Sequence, residues 1–227
     1  MLARTDTTKG PMGISGLIVE KGSCGFSFGK REEKFGLRGD VTNELIFEDC
    51  RVPRINLLSE SIVMPLGQIM LTIGLPAIGA AVEVASAALG VAIDYVKQRA
   101  VTPGQTLANF DGIQCTIADM ATMVEASRLL VYQAGSGGDG KPDPTLGPMA
   151  SIFACEAALE VTNKALQVFG RFGYTTDFAI ERYFRDARGL MLVGQPVEMR
   201  KLTAGRLKLG LPPPGPLGGA PPRPGGA

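Results

Sequence analysis

The chain is 227 residues long and 45% apolar, and its 23 basic and 22 acidic side chains nearly cancel. That length holds one large domain or two small ones, with enough apolar mass to build a core without disulfides. The even charge argues against nucleic acid or an anionic membrane as the main partner. The absence of histidine excludes Ser-His and Cys-His catalysis within this polypeptide and speaks against a metal site.

The first residues, MLARTDTTKGPMG, lack the apolar run of a secretion signal. Cys24, Cys50, Cys115 and Cys155 are widely spaced, with no CxxC pair, and read as reduced thiols of a cytoplasmic protein. From Gly13 to Glu48, short apolar runs broken by glycines predict strands at 14–19 and 44–47. Between them GKREEKFGLRGD reads as a solvated loop and strand. The longer stretch 35–58 reads as a strand, a turn and a Val52-Pro53 exit into a loop.

Ser61–Val82 carries no charge over 22 residues, about the length that spans a bilayer. Pro65, Pro76, its glycines and the continuation into Glu83, Asp94, Lys97 and Arg99 at helical spacing favour the buried centre of a bundle. Apolar residues at i, i+3, i+4 predict helices over 66–99, 110–135 and 146–169. Thr102-Pro103-Gly104 and the segment 135–145 break them. Shorter helices are expected over 177–191 and 197–209. The tail 211–227, LPPPGPLGGAPPRPGGA, is too poor in bulky apolar groups to pack and is expected to be disordered.

The expected fold is therefore mainly α with a small β part. Part of a β domain over 1–60 precedes an antiparallel bundle of four to five helices over 61–210, followed by the tail. Within it, QVFGRFGYTTDFAIERYFRDAR (167–188) closes one amphipathic helix on a Gly-x-x-Gly turn and opens another rich in Arg, Tyr and Asp. Gly170 and Gly173 permit positive φ and close backbone approach, which suits a dinucleotide pyrophosphate, and Gln167 adds an amide. A plain helix C-cap and turn is the alternative.

Taken together, 167–188 and 35–58 resemble the acyl-CoA dehydrogenase family, flavoproteins that oxidise an acyl-CoA thioester between its α and β carbons. The resemblance runs from about Gly13 to Arg206. It implies FAD as cofactor, an acyl-CoA substrate, an electron-transfer flavoprotein as acceptor, and a homo- or hetero-oligomer whose subunits share FAD sites. It also implies the order helical, β, helical domain, of which this chain matches the last two. The chain is then expected to be a fragment, one product of a split gene, or one piece of a hetero-complex.

Carried over residue by residue, the resemblance assigns Arg99 to the flavin pyrophosphate, where a planar fork suits phosphate oxygens. A helix C-terminal cation favoured by the dipole is the competing reading. The usual following Gln and Phe are replaced by Val101 and Thr102. Gln167 and Gly170 match a Gln-x-x-Gly-Gly turn that meets the adenosine half of a neighbouring subunit's FAD. The second glycine has become Arg171, whose cation gains a phosphate contact or whose bulk blocks the approach. Pro196 stands where a cofactor-binding threonine is common, and offers neither hydroxyl nor N–H.

The family's base is a glutamate that removes the α-proton. One of its two known positions falls on Gly194, the other on about Ile73, and neither holds a carboxylate. Glu83 lies roughly 15 Å along the helix from Ile73 at 1.5 Å per residue, and Glu198 lies one turn past Gly194; both read as helix-surface residues. Three functions remain open on this sequence. They are a dehydrogenase whose base comes from another chain, a non-catalytic subunit or interaction module, and an oxidase or monooxygenase of the same fold. The small, apolar helix over 66–80 points to a hydrophobic or bulky acyl group.

Overall fold

The computed structural model describes residues 1–60, 63–136 and 145–214. The connection 137–144 and the tail from residue 215 lie outside the described residues, as do the side chains of 63–77, Ile73 among them. The chain forms two compact units. One comprises Met1–Lys34 and Arg38–Met70, the other Phe35–Leu37 and the residues from Leu71 on.

In the first unit, β1 (Leu2–Arg4), β2 (Ile14–Leu17) and β5 (Leu57–Ser59) form an antiparallel sheet in the order β1-β2-β5. Leu2 faces Gly16 and Arg4 faces Ile14, so Ser15 is held in the middle of the sheet. Its hydroxyl is 2% exposed and is satisfied by Thr5 at 2.5 Å and by the Glu60 carbonyl at 3.0 Å. The strand expected over 14–19 leaves the ladder at Leu17, because the register shifts where β2 meets β5. β3 (Phe26–Arg31) and β4 (Asn43–Phe47) form a separate hairpin in which Phe26 stacks on Phe47, centroids 4.9 Å apart. Cross-strand aromatic pairs of this kind fix register.

The second unit is helical. α1 (Val63–Gln98) leads through a small hairpin, β6 (Ala100–Thr102) and β7 (Gln105–Thr106), into α2 (Asp111–Ser136). Then follow α3 (Leu146–Phe169), a 3-10 turn (Gly170–Tyr174), α4 (Ile180–Leu190) and α5 (Val197–Lys208). The expected mainly α architecture is what the structure has, with five α-helices and a small strand part among the described residues. A capping box between Thr106 and Asn109 ends the hairpin and starts the α2 approach. The 66–99 helix ends one residue early, and the 177–191 helix starts three residues late because Phe178 turns inward to join an aromatic cluster.

α3 sits at the centre and packs against α2, α4 and α5. Its buried stripe is built from small residues, Ala150, Ala154, Ala158, Val161 and Ala165, each at 1% exposure or less. α1 presents a matching row, Ala81, Ala85, Ala88 and Ala92, at the i, i+4, i+7, i+11 positions of one helical face. Alanine carries the best helix propensity and lets axes approach closely, so one choice serves both local and tertiary structure. Ile78–Gln98 is long and apolar enough by composition to cross a bilayer, but its alanine row belongs to the core cluster with Met120, Val124 and Cys155.

Candidate functional site

The site forms where the C-terminal ends of α1 and α3 meet. Tyr95, in the last turn of α1, stacks on Phe169 with centroids 4.0 Å apart and an interplanar angle of 17°. Its hydroxyl donates to the Phe169 carbonyl at 3.4 Å. Phe178 packs edge-on against both rings, at 6.1 Å from Tyr95 and 5.3 Å from Phe169, and Phe172 packs on Phe178 at 6.0 Å. Four aromatic rings thus weld two helix ends together, each pair worth about 0.5–1.5 kcal/mol beyond its burial.

That weld places Arg99. Its N–H donates to the Tyr95 carbonyl at 2.8 Å, and its carbonyl accepts from the Leu107 N–H at 2.9 Å, so its backbone is fixed from both sides. Its guanidinium carbon lies 5.4 Å from the Phe172 ring centroid. Arg171, on the 3-10 turn, holds its own guanidinium carbon 4.8 Å from the same centroid. Two residues 72 positions apart in sequence are therefore gathered on one aromatic ring. Both are exposed, and neither has an ion pair among the described residues. The ring attracts each cation, yet two guanidiniums within about 10 Å of one another repel by roughly 0.4 kcal/mol even in water-like surroundings. An anion between them reverses the sign, and the donor set suits phosphate oxygens.

Gln167 lies exposed in the last turn of α3, and its carbonyl accepts the Gly170 N–H. Gly170 has φ +57° and ψ −134°, a backbone state that side chains rarely allow, and a Cβ there would meet open space. Of the two glycines, only Gly170 uses the positive φ that glycine permits. Gly173 is buried, and a Cβ would come within 2.6 Å of the Leu166 carbonyl, so its smallness serves packing inside the turn. Because the Gly170 N–H is consumed by the cap, the donors this turn turns outward are side chains, Arg171 and the Gln167 amide.

Gly194 lies in the connection between α4 and α5, exposed, with φ +77° and open space where a Cβ would stand. Arg200 pins this connection. It donates to the Val193 carbonyl at 2.6 Å and to the Cys155 sulfur at 3.2 Å. Pro196 is the extended residue before α5. Glu83 on α1 and Glu198 in the first turn of α5 are both exposed, and the structure brings no carboxylate among the described residues into the Arg99–Phe172–Arg171 cluster.

The Arg-Asp pair of 185–186, within the stretch 167–188, has a different task. Arg185 pairs with Glu181 at 2.6 Å and donates to the Phe35 carbonyl at 2.6 Å, while Asp186 accepts the Leu37 N–H at 2.6 Å. The bond from Glu181 raises the Arg185 pKa above its ordinary value, against the opposing effect of burial. These two side chains dock the strap Phe35–Leu37 onto α4. Gly36 fits because a side chain there would collide with the Arg185 carbonyl. Sequence reading missed Tyr95, Phe172 and Phe178; the only available signal was the aromatic spacing 169, 172, 178 beside a tyrosine four residues before Arg99.

Comparison with known proteins follows the same lines. Residues 70–207 match the family model described as acyl-CoA dehydrogenase, C-terminal domain. A probable acyl-CoA dehydrogenase of Mycobacterium leprae is 42% identical over 196 residues, 83% of this chain and 49% of that protein. The caffeyl-CoA reductase-Etf complex subunit CarC of Acetobacterium woodii is 42% identical over 190 residues, covering 82% and 50%. The solved structure of butyryl-CoA dehydrogenase from Megasphaera elsdenii superposes with a TM-score of 0.86 at 35% identity, covering 92% of this chain and 55% of that one. The chain spans about half the length of the curated relatives it matches.

Proposed function

The chain belongs to the acyl-CoA dehydrogenase family, and we propose that it works as the FAD-binding helical part of an acyl-CoA dehydrogenase-like flavoprotein. The observation that carries the cofactor is the pair of exposed guanidiniums of Arg99 and Arg171 on Phe172, without carboxylate partners among the described residues. In this reading both arginines hold the FAD pyrophosphate, with the Gln167 amide beside them and the Gly170 turn giving the approach. When bound, FAD supplies the acceptor for the hydride that leaves the β carbon of an acyl-CoA. Residues 61–210 form the FAD and oligomerisation domain, subunits share the site, and an electron-transfer flavoprotein is the acceptor. A relative named as a subunit of a reductase-Etf complex supports that last point.

The chain's own contribution to the proton half of the reaction is small. Gly194 offers no acid or base, and its φ of +77° opposes any side chain there. A carboxylate from outside this segment must then take the α-proton. The same observation favours a second reading, a non-catalytic subunit that keeps the bundle for assembly and lends half of a shared FAD site.

The test is spectral. Purified full chain is incubated with FAD, freed of unbound cofactor, and scanned for the flavin band, then mixed with a panel of acyl-CoAs. Retained yellow colour with no bleaching by any thioester is expected for the chain alone, and bleaching is expected once a relative carrying the glutamate is added. Colourless protein in both conditions refutes the flavin reading. Bleaching by the chain alone refutes the assignment of the base elsewhere.

A further inference from the structure

β3 and β4 pair only with each other among the described residues, and a two-stranded hairpin by itself is marginally stable. Its open end carries two of the four cysteines. Cys24 is the second residue of a turn over 23–26, closed by the Phe26 N–H on the Ser23 carbonyl at 3.0 Å, with Gly25 at φ +79° in the third position. Phe26 faces Phe47, and the Gly25 carbonyl accepts the Glu48 N–H at 2.8 Å, so the ladder carried one step further sets Cys24 against Asp49, the neighbour of Cys50. Asp49 takes φ +48°, a bend in the chain as it leaves β4. The backbones meet closely there. A Cβ on Gly25 would lie 3.0 Å from both the N and the Cα of Cys50. Adding one Cα–Cβ bond and one Cα step of about 3.8 Å places the Cα atoms of Cys24 and Cys50 at most about 8 Å apart. Disulfides span Cα separations of roughly 4.4–6.8 Å, so the turn has at most about 1–2 Å to supply.

All four thiols are free in this structure, and Cys24 is exposed while Cys50 is half-buried. Cys155 is buried against the Leu190 carbonyl and Arg200, and Cys115 stands on α2, in the other compact unit. We propose that Cys24 and Cys50 are a reversible dithiol–disulfide pair that fastens the open end of the β3–β4 hairpin when a low-molecular-weight disulfide is present. The Cys24 thiolate attacks one sulfur of that disulfide, forming a mixed disulfide and releasing one small thiolate. The Cys50 thiolate then attacks the Cys24 sulfur and expels the second small thiolate. Two protein thiols thus lose two protons and two electrons, and the small disulfide is reduced to two thiols. The cross-link restrains a hairpin that has no third strand to hold it.

The full chain, first fully reduced, is equilibrated in glutathione buffers of increasing oxidised share, quenched with acid, alkylated, digested and mapped by mass spectrometry. With glutathione at about 0.1 mM, the internal bridge is expected to exceed the mixed disulfides at these two cysteines by about tenfold, because the effective concentration of a nearby tethered thiol is millimolar or more. Cys24→Ser and Cys50→Ser are each expected to remove the bridge and leave the remaining cysteine as a glutathione mixed disulfide. Cys115→Ser is expected to leave the bridge as in the parent. Oxidation is expected to slow amide exchange across β3 and β4 several-fold, with α3 exchange as in the reduced chain. Separate mixed disulfides at Cys24 and Cys50 without a bridge, or a bridge that forms only between chains and rises with protein concentration, overturns the pair. A bridged chain whose β3 and β4 amides exchange as fast as before overturns the fastening role. Should a serine variant lose its fold, the peptide map of the parent and its dilution series decide alone.

Discussion

Replacing Gly173 and Gly170 one at a time by alanine separates two reasons for a glycine within a single turn. At Gly173, φ is ordinary, but the new methyl would lie 2.6 Å from the Leu166 carbonyl oxygen and 3.0 Å from the Phe169 Cβ. Neither neighbour is the loose end of a flexible chain. The carbonyl belongs to α3, and Phe169 is 2% exposed and stacked on Tyr95. Overpacking of a fixed site costs about 1–3 kcal/mol, and displacing Phe169 adds part of the Tyr95 stacking energy, about 0.5–1.5 kcal/mol. The expected loss for Gly173→Ala is about 2–4 kcal/mol. At Gly170 the methyl meets open space, and only the backbone state, φ +57° with ψ −134°, resists it, for about 1–3 kcal/mol. Urea unfolding followed by circular dichroism gives both values. The order Gly173 over Gly170 is the diagnostic. A Gly173→Ala protein as stable as the parent, or a Gly170→Ala loss larger than the Gly173→Ala loss, refutes the account of this turn.

Other consequences follow from single contacts. Arg185→Ala breaks the pair with Glu181 and the bond to the Phe35 carbonyl. It is expected to cost about 2–3 kcal/mol by leaving part-buried partners unsatisfied, with faster hydrogen exchange at the Leu37 amide as the local signature. Asp6, bonded by the Thr8 hydroxyl and N–H and by Lys9, has its pKa lowered from 3.8 to about 2. A carboxylate depressed in the folded state stabilises above its ordinary pKa, and that contribution is lost as pH falls from about 4 toward 2. Carboxyl NMR titration of Asp6 checks this, and Thr8→Ala is expected to return the value toward 3.8. Arg200→Ala frees the Val193 carbonyl and the connection around Gly194. It is expected to raise amide exchange across 191–196 several-fold while α3 exchange stays as in the parent, a pattern that a general loss of stability would not give.

The helices were legible because each rests on a local pattern. The alanine rows at 81, 85, 88 and 92 and at 150, 154, 158 and 165 are periodic in sequence, and Gly170 and Thr102-Pro103-Gly104 mark ends by their backbone preferences. β6 and β7 were not legible. Strands of two or three residues have no period to read, and their existence depends on partners such as Thr106 for Ala100. The site was half visible. Arg99, Gln167, Gly170 and Arg171 could be picked out one by one, but the ring that joins two of them, Phe172, could not, because nothing local distinguishes it from Phe169 or Phe178. The task of Arg185 and Asp186 was hidden for the opposite reason. Their partners, Phe35 and Leu37, lie about 150 residues away, so nothing local marks a docking strap.

The central claim is that Arg99 and Arg171 hold a diphosphate between them on Phe172. Its most direct test is FAD binding by the full chain at low and high salt, compared with Arg99→Ala, Arg171→Ala and the double variant. The account predicts affinity that falls as salt screens the pair, a loss of several-fold for each single variant, and a loss on the order of a hundredfold for the double, at about 1.4 kcal/mol per tenfold. FAD affinity that is insensitive to salt and unchanged in the double variant would contradict it.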